Sequence, residues 1–220
     1  MTDAERHMPI WTAALSLAAT RPWKEITLPQ IAAAAGLSLA DISSCVSSKA
    51  EILRLFQRHN DQQFLASLET GPLEGEPHDR LFDAMLRRIE LLTPHKAAIR
   101  NIAADPADSP IEWLIIACSA IDTQNWIVTA AGIDHYGMRG EVHKLGLAKI
   151  YRDVLKVWLD DDDPGLARTM ASLDRKLRDA GAMARRLEVP LAFLSGLARA
   201  ARAFRETRKQ DRSASDATAD

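Results

Sequence analysis

Apolar residues along the chain recur at spacings of three and four. The segments so marked run roughly over 8–20, 28–35, 39–46, 49–69, 78–92, 111–130 and 140–159, with two more at 164–180 and 190–206. Such spacing puts the apolar side chains of a helix on one face, as a buried amphipathic helix requires. Strand signals are almost lacking: no alternating Val/Ile/Thr run is flanked by Asn-Gly or Asp-Gly turns. The pattern predicts an all-α protein. Thr70 to Pro77, with two Gly and two Pro, stops one helix; Asp105 to Pro110, with two Pro, forms a second break. These breaks and the local grammar divide the chain into a head at 1–58, a helical body at 59–180 and a basic tail at 181–220.

The head carries the sharpest punctuation. Three capping boxes follow one another: Thr27-Leu28-Pro29-Gln30, Ser38-Leu39-Ala40-Asp41 and Ser48-Lys49-Ala50-Glu51. In each, a hydroxyl and a side-chain acceptor three residues later satisfy helix N–H groups that otherwise lack partners. Pro29 suits a first turn, where its missing N–H is no loss, and Gly36 suits a left-handed helix end. Two short helices joined by a Gly-containing turn of three to four residues form a helix-turn-helix. Ala32, Gly36 and Ile42 are spaced for a small residue at the crossing, a turn, and an aliphatic that holds the second helix down.

Composition narrows the functional classes. The chain has 220 residues, 47% hydrophobic and 26% charged, with a net charge of −2. That balance is globular, and any basic surface must be local. Two cysteines, Cys45 and Cys118, exclude a disulfide scaffold or a Cys-rich zinc site and fit a reducing compartment. Met1 to Arg6 is polar with no signal-peptide core behind it, and the apolar run Trp113 to Ile121 is about half a membrane span. A soluble cytoplasmic protein is expected. The six histidines form no i, i+4 pair and no His-Glu-x-x-His arrangement, and no Gly-x-Ser-x-Gly elbow or phosphate loop occurs. Neither a metal, a cofactor nor an enzymatic activity is expected.

The segment from Ala13 to Phe56 resembles the N-terminal domain of TetR-family transcriptional regulators. The residues that carry the resemblance are Ala13-Ala14-Leu15-Ser16-Leu17-Ala18-Ala19, Trp23, Ile26-Thr27, Ile31-Ala32, Ala35-Gly36-Leu37-Ser38, Ser47-Ser48-Lys49 and Leu53. The resemblance implies a homodimer with a three-helix DNA-binding head and a larger body that binds a small apolar ligand. It places DNA contacts at Thr27, Ser38, Leu39, Ala40, Ser43 and Ser44, with Lys49 on a phosphate at a helix start. Two departures stand out: Ser43 occupies the position where the family has a phosphate-contacting Tyr, and Val46 one where Phe is common. The second helix therefore offers small hydroxyls and Asp41 where base edges and phosphates favour Arg, Lys, Asn, Gln or Tyr. Over residues 1–60, six basic residues face five acidic ones, so the sequence-independent attraction to DNA is weak.

The body from Trp126 through Leu177 resembles the ubiquinone-biosynthesis COQ9 proteins, which share the TetR fold. Here the carrying residues are Gly146-Leu147-Ala148-Lys149-Ile150-Tyr151, Val157-Trp158-Leu159-Asp160-Asp161-Asp162, Ala167-Arg168-Thr169 and Leu173-Asp174-Arg175-Lys176-Leu177. This second resemblance implies an isoprenoid-lipid pocket without catalysis or DNA binding, the alternative to a regulator. Trp113, Trp126, Tyr151, Val154 and Trp158 on the body helices are candidate walls for an apolar ligand, or ordinary core. Asp160 to Asp163 before Pro164 is expected to be a solvated helix start, with Asp163 as N-cap and Pro164 in the first turn. From Gly181 to Arg212, eight basic residues outnumber three acidic ones on an amphipathic pattern. Such a helix can lie on an anionic membrane surface, close a bundle, or strap DNA.

Overall fold

The computed structural model describes the backbone over 3–105, 110–133 and 137–182, with side chains over 7–105, 118–133 and 143–182. The described residues are helical with no strand. In chain order the helices are α1 (Asp3–Ala18), α2 (Leu28–Ala35), α3 (Leu39–Ser43), α4 (Lys49–Thr70), α5 (Pro77–Glu90), α6 (Lys96–Ala104), α7 (Pro110–Ala130) and α8 (Gly137–Leu159). A further helix, α9, covers the described residues 167–182. Single 3-10 turns lie at Trp23–Glu25 and Thr93–His95. Contacts gather residues 1–176 into one unit; a second unit begins at Leu177. The predicted basic tail, and with it any membrane contact, lies outside the described residues apart from its first two positions.

The head folds as its punctuation dictates. Helix α1 buries Ile10, Trp11, Ala14, Leu15 and Ala18, a face repeating every three to four residues. It packs on α2, α4 and α6. At the start of α2 the Thr27 N–H donates to the Gln30 side-chain oxygen at 3.0 Å. Gly36 ends that helix at φ 68°, and a Cβ there would meet nothing within 4 Å. Glycine is therefore needed for backbone conformation rather than for space. At the next helix start, the Asp41 N–H donates to Ser38 Oγ at 3.1 Å and the Ser38 N–H to Asp41 Oδ2 at 2.9 Å. The third box differs from expectation. Ser48 Oγ accepts from the Glu51 N–H at 3.2 Å, but the Glu51 carboxylate reaches one residue further back, to the Ser47 N–H at 2.6 Å. Ile42, 1% exposed, pins α3 to the head core; truncating such a residue to Ala costs about 2–4 kcal/mol.

Helix α4 runs unbroken through residue 58, so head and body share one rod about 33 Å long. Its body half packs most extensively on α7. Gly71 ends it, and the loop that follows is held by arginines of α5: Arg87 donates to the Gly71 carbonyl, and Arg80 to the Gly75 and Ala131 carbonyls at 2.7 Å.

Three expectations are corrected. The second helix of the head was expected over 39–46 and stops at Ser43, because the Ser43 and Ser44 hydroxyls donate back to the Ala40 and Asp41 carbonyls (2.9 and 2.7 Å), a local bond that competes with helix continuation. Helix α6 was not anticipated: six of its nine residues are apolar, but four of those six are alanines and only Ala98 is buried. Its start is nevertheless marked by Pro94 in the preceding 3-10 turn. Finally, Asp163-Pro164 does not begin a helix. Asp163 accepts from the Gly165 and Ala167 N–H groups at 3.1 Å, closing a turn, and α9 starts at 167. Asp161 is 1% exposed rather than solvated. It accepts from the Thr169 N–H at 2.8 Å and hydroxyl at 2.7 Å, capping α9 from outside the helix.

Candidate nucleic-acid interface

Thr27, Ser38, Leu39, Ala40, Ser43 and Ser44 are all exposed, while Lys49 is half-buried. Leu39, Ala40, Ser43 and Ser44 lie together on and just after α3, with Ser38 as its cap. Leu39 leaves 51% of its surface in solvent, an apolar projection that neither the head core nor solubility requires. The hydroxyl protons on this face are already committed. Ser38 Oγ donates to Asp41 Oδ2 at 2.6 Å, and Ser43 and Ser44 donate to their own helix backbone. The Ser38 hydroxyl, and after it the Ser38 N–H, hold the Asp41 carboxyl below its ordinary pKa, so it is anionic. The face therefore offers acceptors and methyl-sized apolar contacts. Those match the N4 amino group of cytosine, the N6 amino group of adenine and the thymine methyl in a major groove.

Lys49 is occupied. Its ammonium donates to the Trp23 carbonyl at 2.9 Å and stands 5.0 Å from the Trp23 ring centroid. This contact fastens the 3-10 turn Trp23–Glu25 to the first turn of α4. No sequence spacing signals it, because the partners are 26 residues apart.

The head is tied to the body through α6. Asn101 donates to the Ala18 carbonyl at the end of α1 at 2.8 Å, and the Lys24 N–H donates to Asp105 Oδ2 at 3.0 Å. At its other end α6 holds the end of α8: Lys96 donates to the Asp161 carbonyl at 2.5 Å, and Arg100 donates to the Leu159 carbonyl. Beside this junction the Trp11 ring packs on Phe56, His59 and His95 at centroid distances of 5.4, 4.9 and 6.0 Å.

In the body, Tyr151, Val154 and Trp158 are buried on α8, whereas Trp126 on α7 is 47% exposed. The Trp113 side chain lies outside the described residues. Trp158 borders a cleft formed with α5, α6 and the 161–166 segment. Sequence spacing missed a buried polar cluster at the centre of the body. Arg88 Nε donates to Asp61 Oδ1 at 2.8 Å, and the Thr123 hydroxyl bonds the same carboxylate at 3.1 Å. Burial pushes the Asp61 carboxyl up, opposed by the Arg88 guanidinium and the Thr123 bond. Burial likewise raises the Tyr151 phenol to about 12. Among the described residues no three His, Cys, Asp or Glu side chains converge as a metal site, and no helix is long and apolar enough to cross a membrane.

No family model and no curated protein matches the sequence. The structure is similar to the TetR transcriptional regulator from Nitrosomonas europaea ATCC 19718, with a TM-score of 0.64 over 80% of this chain and 97% of that one at 21% identity. It is also similar to a TetR transcriptional regulator from Rhodococcus sp. RHA1, with a TM-score of 0.58 over 79% and 93% of the two chains at 16% identity. This is the TetR-regulator fold.

Within the TetR fold the helix-turn-helix is complete as a scaffold: Gly36 in the turn, Ile42 in the core, and an exposed α3 face. The exposed face of that helix carries acceptors, its hydroxyl protons being taken up by its own residues. Asp41 is the clearest instance, an anion held at the centre of the exposed turn.

Proposed function

We propose that this chain is a cytoplasmic, homodimeric, DNA-binding transcriptional regulator whose body senses a small apolar ligand. The observation that carries the reading is the exposed face Leu39–Ser44 on a fully formed helix-turn-helix, in a chain whose fold matches proteins described as TetR transcriptional regulators. Two such heads would engage half-sites about one helical turn apart, so the operator is expected to be palindromic. Ser38, Ser43 and Ser44, with Asp41, would accept from base amino groups, and Leu39 and Ala40 would meet thymine methyls. Thr27 would flank this contact near the backbone. Lys49 would support it by holding the Trp23 turn through one N–H, leaving the other two N–H groups of its ammonium for a phosphate.

Ligand control would run through the shared α4 and the α6 bonds to Ala18 and Lys24. A ligand that favours one arrangement of the body shifts the spacing of the heads by its differential affinity for the two arrangements. Tyr151, Val154 and Trp158 would respond to the ligand from the α8 core, with Trp113 and Trp126 contributing from α7.

A second reading is favoured by one observation, the poverty of donors on α3. On that reading the chain is a COQ9-like isoprenoid-lipid binder whose head no longer binds DNA and whose basic tail touches membrane.

Enrichment of sheared genomic DNA on the purified protein separates the two. The control is Leu39→Glu, which adds charge at an exposed site without touching the core. A few palindromic fragments recovered by the protein and lost in the variant support the regulator. No enrichment even at low salt, where phosphate contacts are strongest, overturns it in favour of the lipid binder.

A further inference from the structure

The cleft bordered by Trp158 has a volume of about 540 Å³ and is walled by Leu86 and Glu90 of α5, Lys96 of α6, Asp162 and Met170. Its most informative occupant is one of its own side chains. The Lys96 ammonium donates to the Asp161 carbonyl at 2.5 Å, lies 3.9 Å from the Asp162 carboxylate, and stands 5.5 Å from the Trp158 ring centroid. A carbonyl, a carboxylate and an aromatic face around one ammonium make a seat for a cation. Here it is filled by a tethered one, whose side chain keeps 18% of its surface exposed.

A separate observation points to a ligand. The indole Nε1 of Trp158 is buried and has no hydrogen-bond partner, although the ring is fully buried and borders the cleft. A buried donor without a partner is costly, and an acceptor oxygen that reached it once Lys96 had moved off the ring would recover that cost. The charges agree with a cation rather than an anion. Among the described residues Glu90, Asp162 and Asp163 line the cleft against Lys96, with Arg100 offsetting Asp162 from 3.7 Å and the Asp161 carboxylate taken up by Thr169. Leu86, Met170 and the indole supply an apolar wall.

We propose that this cleft binds an organic ammonium that carries an acceptor oxygen and an apolar body, its ammonium replacing that of Lys96 between Trp158 and Asp162. Lys96 is the first residue of α6, and the same helix holds the head through Asn101 and Asp105. Displacing Lys96 removes one of the two bonds from α6 to the end of α8, so occupancy of the cleft is transmitted to the junction with the head. That this junction controls DNA binding rests on the proposed function; the ligand site itself does not.

The test titrates the full-length, ¹⁵N-labelled protein with benzoylcholine while following the tryptophan indole N–H signals, the Trp158 signal being assigned by its loss in Trp158→Phe. Ethyl benzoate, without the charge, and benzoate, with the opposite charge, are the controls. The expected result is a saturable shift of the Trp158 signal with benzoylcholine, at least about tenfold tighter than with ethyl benzoate. Lys96→Met should tighten benzoylcholine binding by removing the tethered competitor, and Glu90→Gln, on the exposed rim, should weaken it without affecting folding. The proposal is overturned if the Trp158 signal does not saturate, if the neutral ester binds as well, or if benzoate binds better. A saturable shift in a protein that enriches no DNA leaves the site standing and removes the regulator. Enrichment of DNA with no saturable shift does the reverse.

Discussion

Lys49 and Trp23 form a single fastening between the first turn of α4 and the 3-10 turn that precedes α2: the ammonium reaches the Trp23 carbonyl at 2.9 Å and lies against its ring. A side chain that the sequence resemblance assigns to a DNA phosphate thus has a structural duty in the free protein. The two roles separate by experiment.

Lys49→Ala removes a hydrogen bond to a charged donor together with a cation–π contact. The expected loss is about 1–2 kcal/mol of stability, read as a lowered midpoint in urea with an unchanged slope. Lys49→Arg keeps both interactions in kind and is expected to recover part of the loss. If Lys49→Ala leaves the midpoint where it was, the fastening contributes nothing to stability.

Gly36 provides a test with a purely conformational cause. It stands at φ 68° with open space where a Cβ would go. Gly36→Ala should therefore cost about 1 kcal/mol from backbone conformation alone, and Gly36→Asn less, since Asn tolerates the left-handed region. A loss several times larger would mean that packing, and not φ, governs the position.

The helix-turn-helix was legible because its instructions are local. Each of Thr27, Gly36, Ser38 and Ser48 acts within a few residues of itself, and the capping bonds of Ser38–Asp41 form as their spacing predicts. The body was less so. Asp61, Arg88 and Thr123 come from three helices far apart in sequence, and a charge within an amphipathic pattern looks the same whether it faces water or a buried partner. Asp161 was misplaced for the related reason that four consecutive aspartates suggest a solvated run, while the fold buries one of them as the cap of α9. Helix α6 escaped notice because most of its apolar residues are small alanines and it is held by polar bonds to Ala18, Lys24, Leu159 and Asp161.

His95 should give the junction of head and body a pH dependence. It packs edge-on against Phe56 at 5.1 Å and beside Trp11, and burial, followed by the neighbouring His59, lowers its pKa below 6.5. A histidine whose folded pKa is depressed takes up its proton more readily when unfolded. Its contribution to stability is therefore complete above about pH 6.5 and falls away as the pH drops through the unfolded value toward the folded one. Urea midpoints taken between pH 7.5 and 5 should decline for the protein and decline less for His95→Gln, which cannot protonate. Parallel declines would assign the effect to other groups.

The buried pair Asp61–Arg88 separates the cost of breaking an ion pair from the worth of having one. Arg88 is 2% exposed and Asp61 5%, and burial outweighs the guanidinium in raising the Asp61 pKa. The folded protein thus binds a proton at Asp61 more readily than the unfolded chain does. Ionising this carboxylate erodes stability as the pH rises from about 4 through the folded pKa, so desolvation is not fully offset by pairing. Asp61→Leu strands the guanidinium and should cost about 3–5 kcal/mol, as should Arg88→Met, which strands the carboxylate. The double variant leaves neither charge buried and should fall well short of the sum, near or above the stability of the parent, with the Thr123 hydroxyl losing its acceptor and the Gln57 carbonyl losing its bond from Arg88. A double-mutant cycle in urea reads the coupling directly. An additive double variant would show that each charge is solvated independently and that the contact between them carries no coupling.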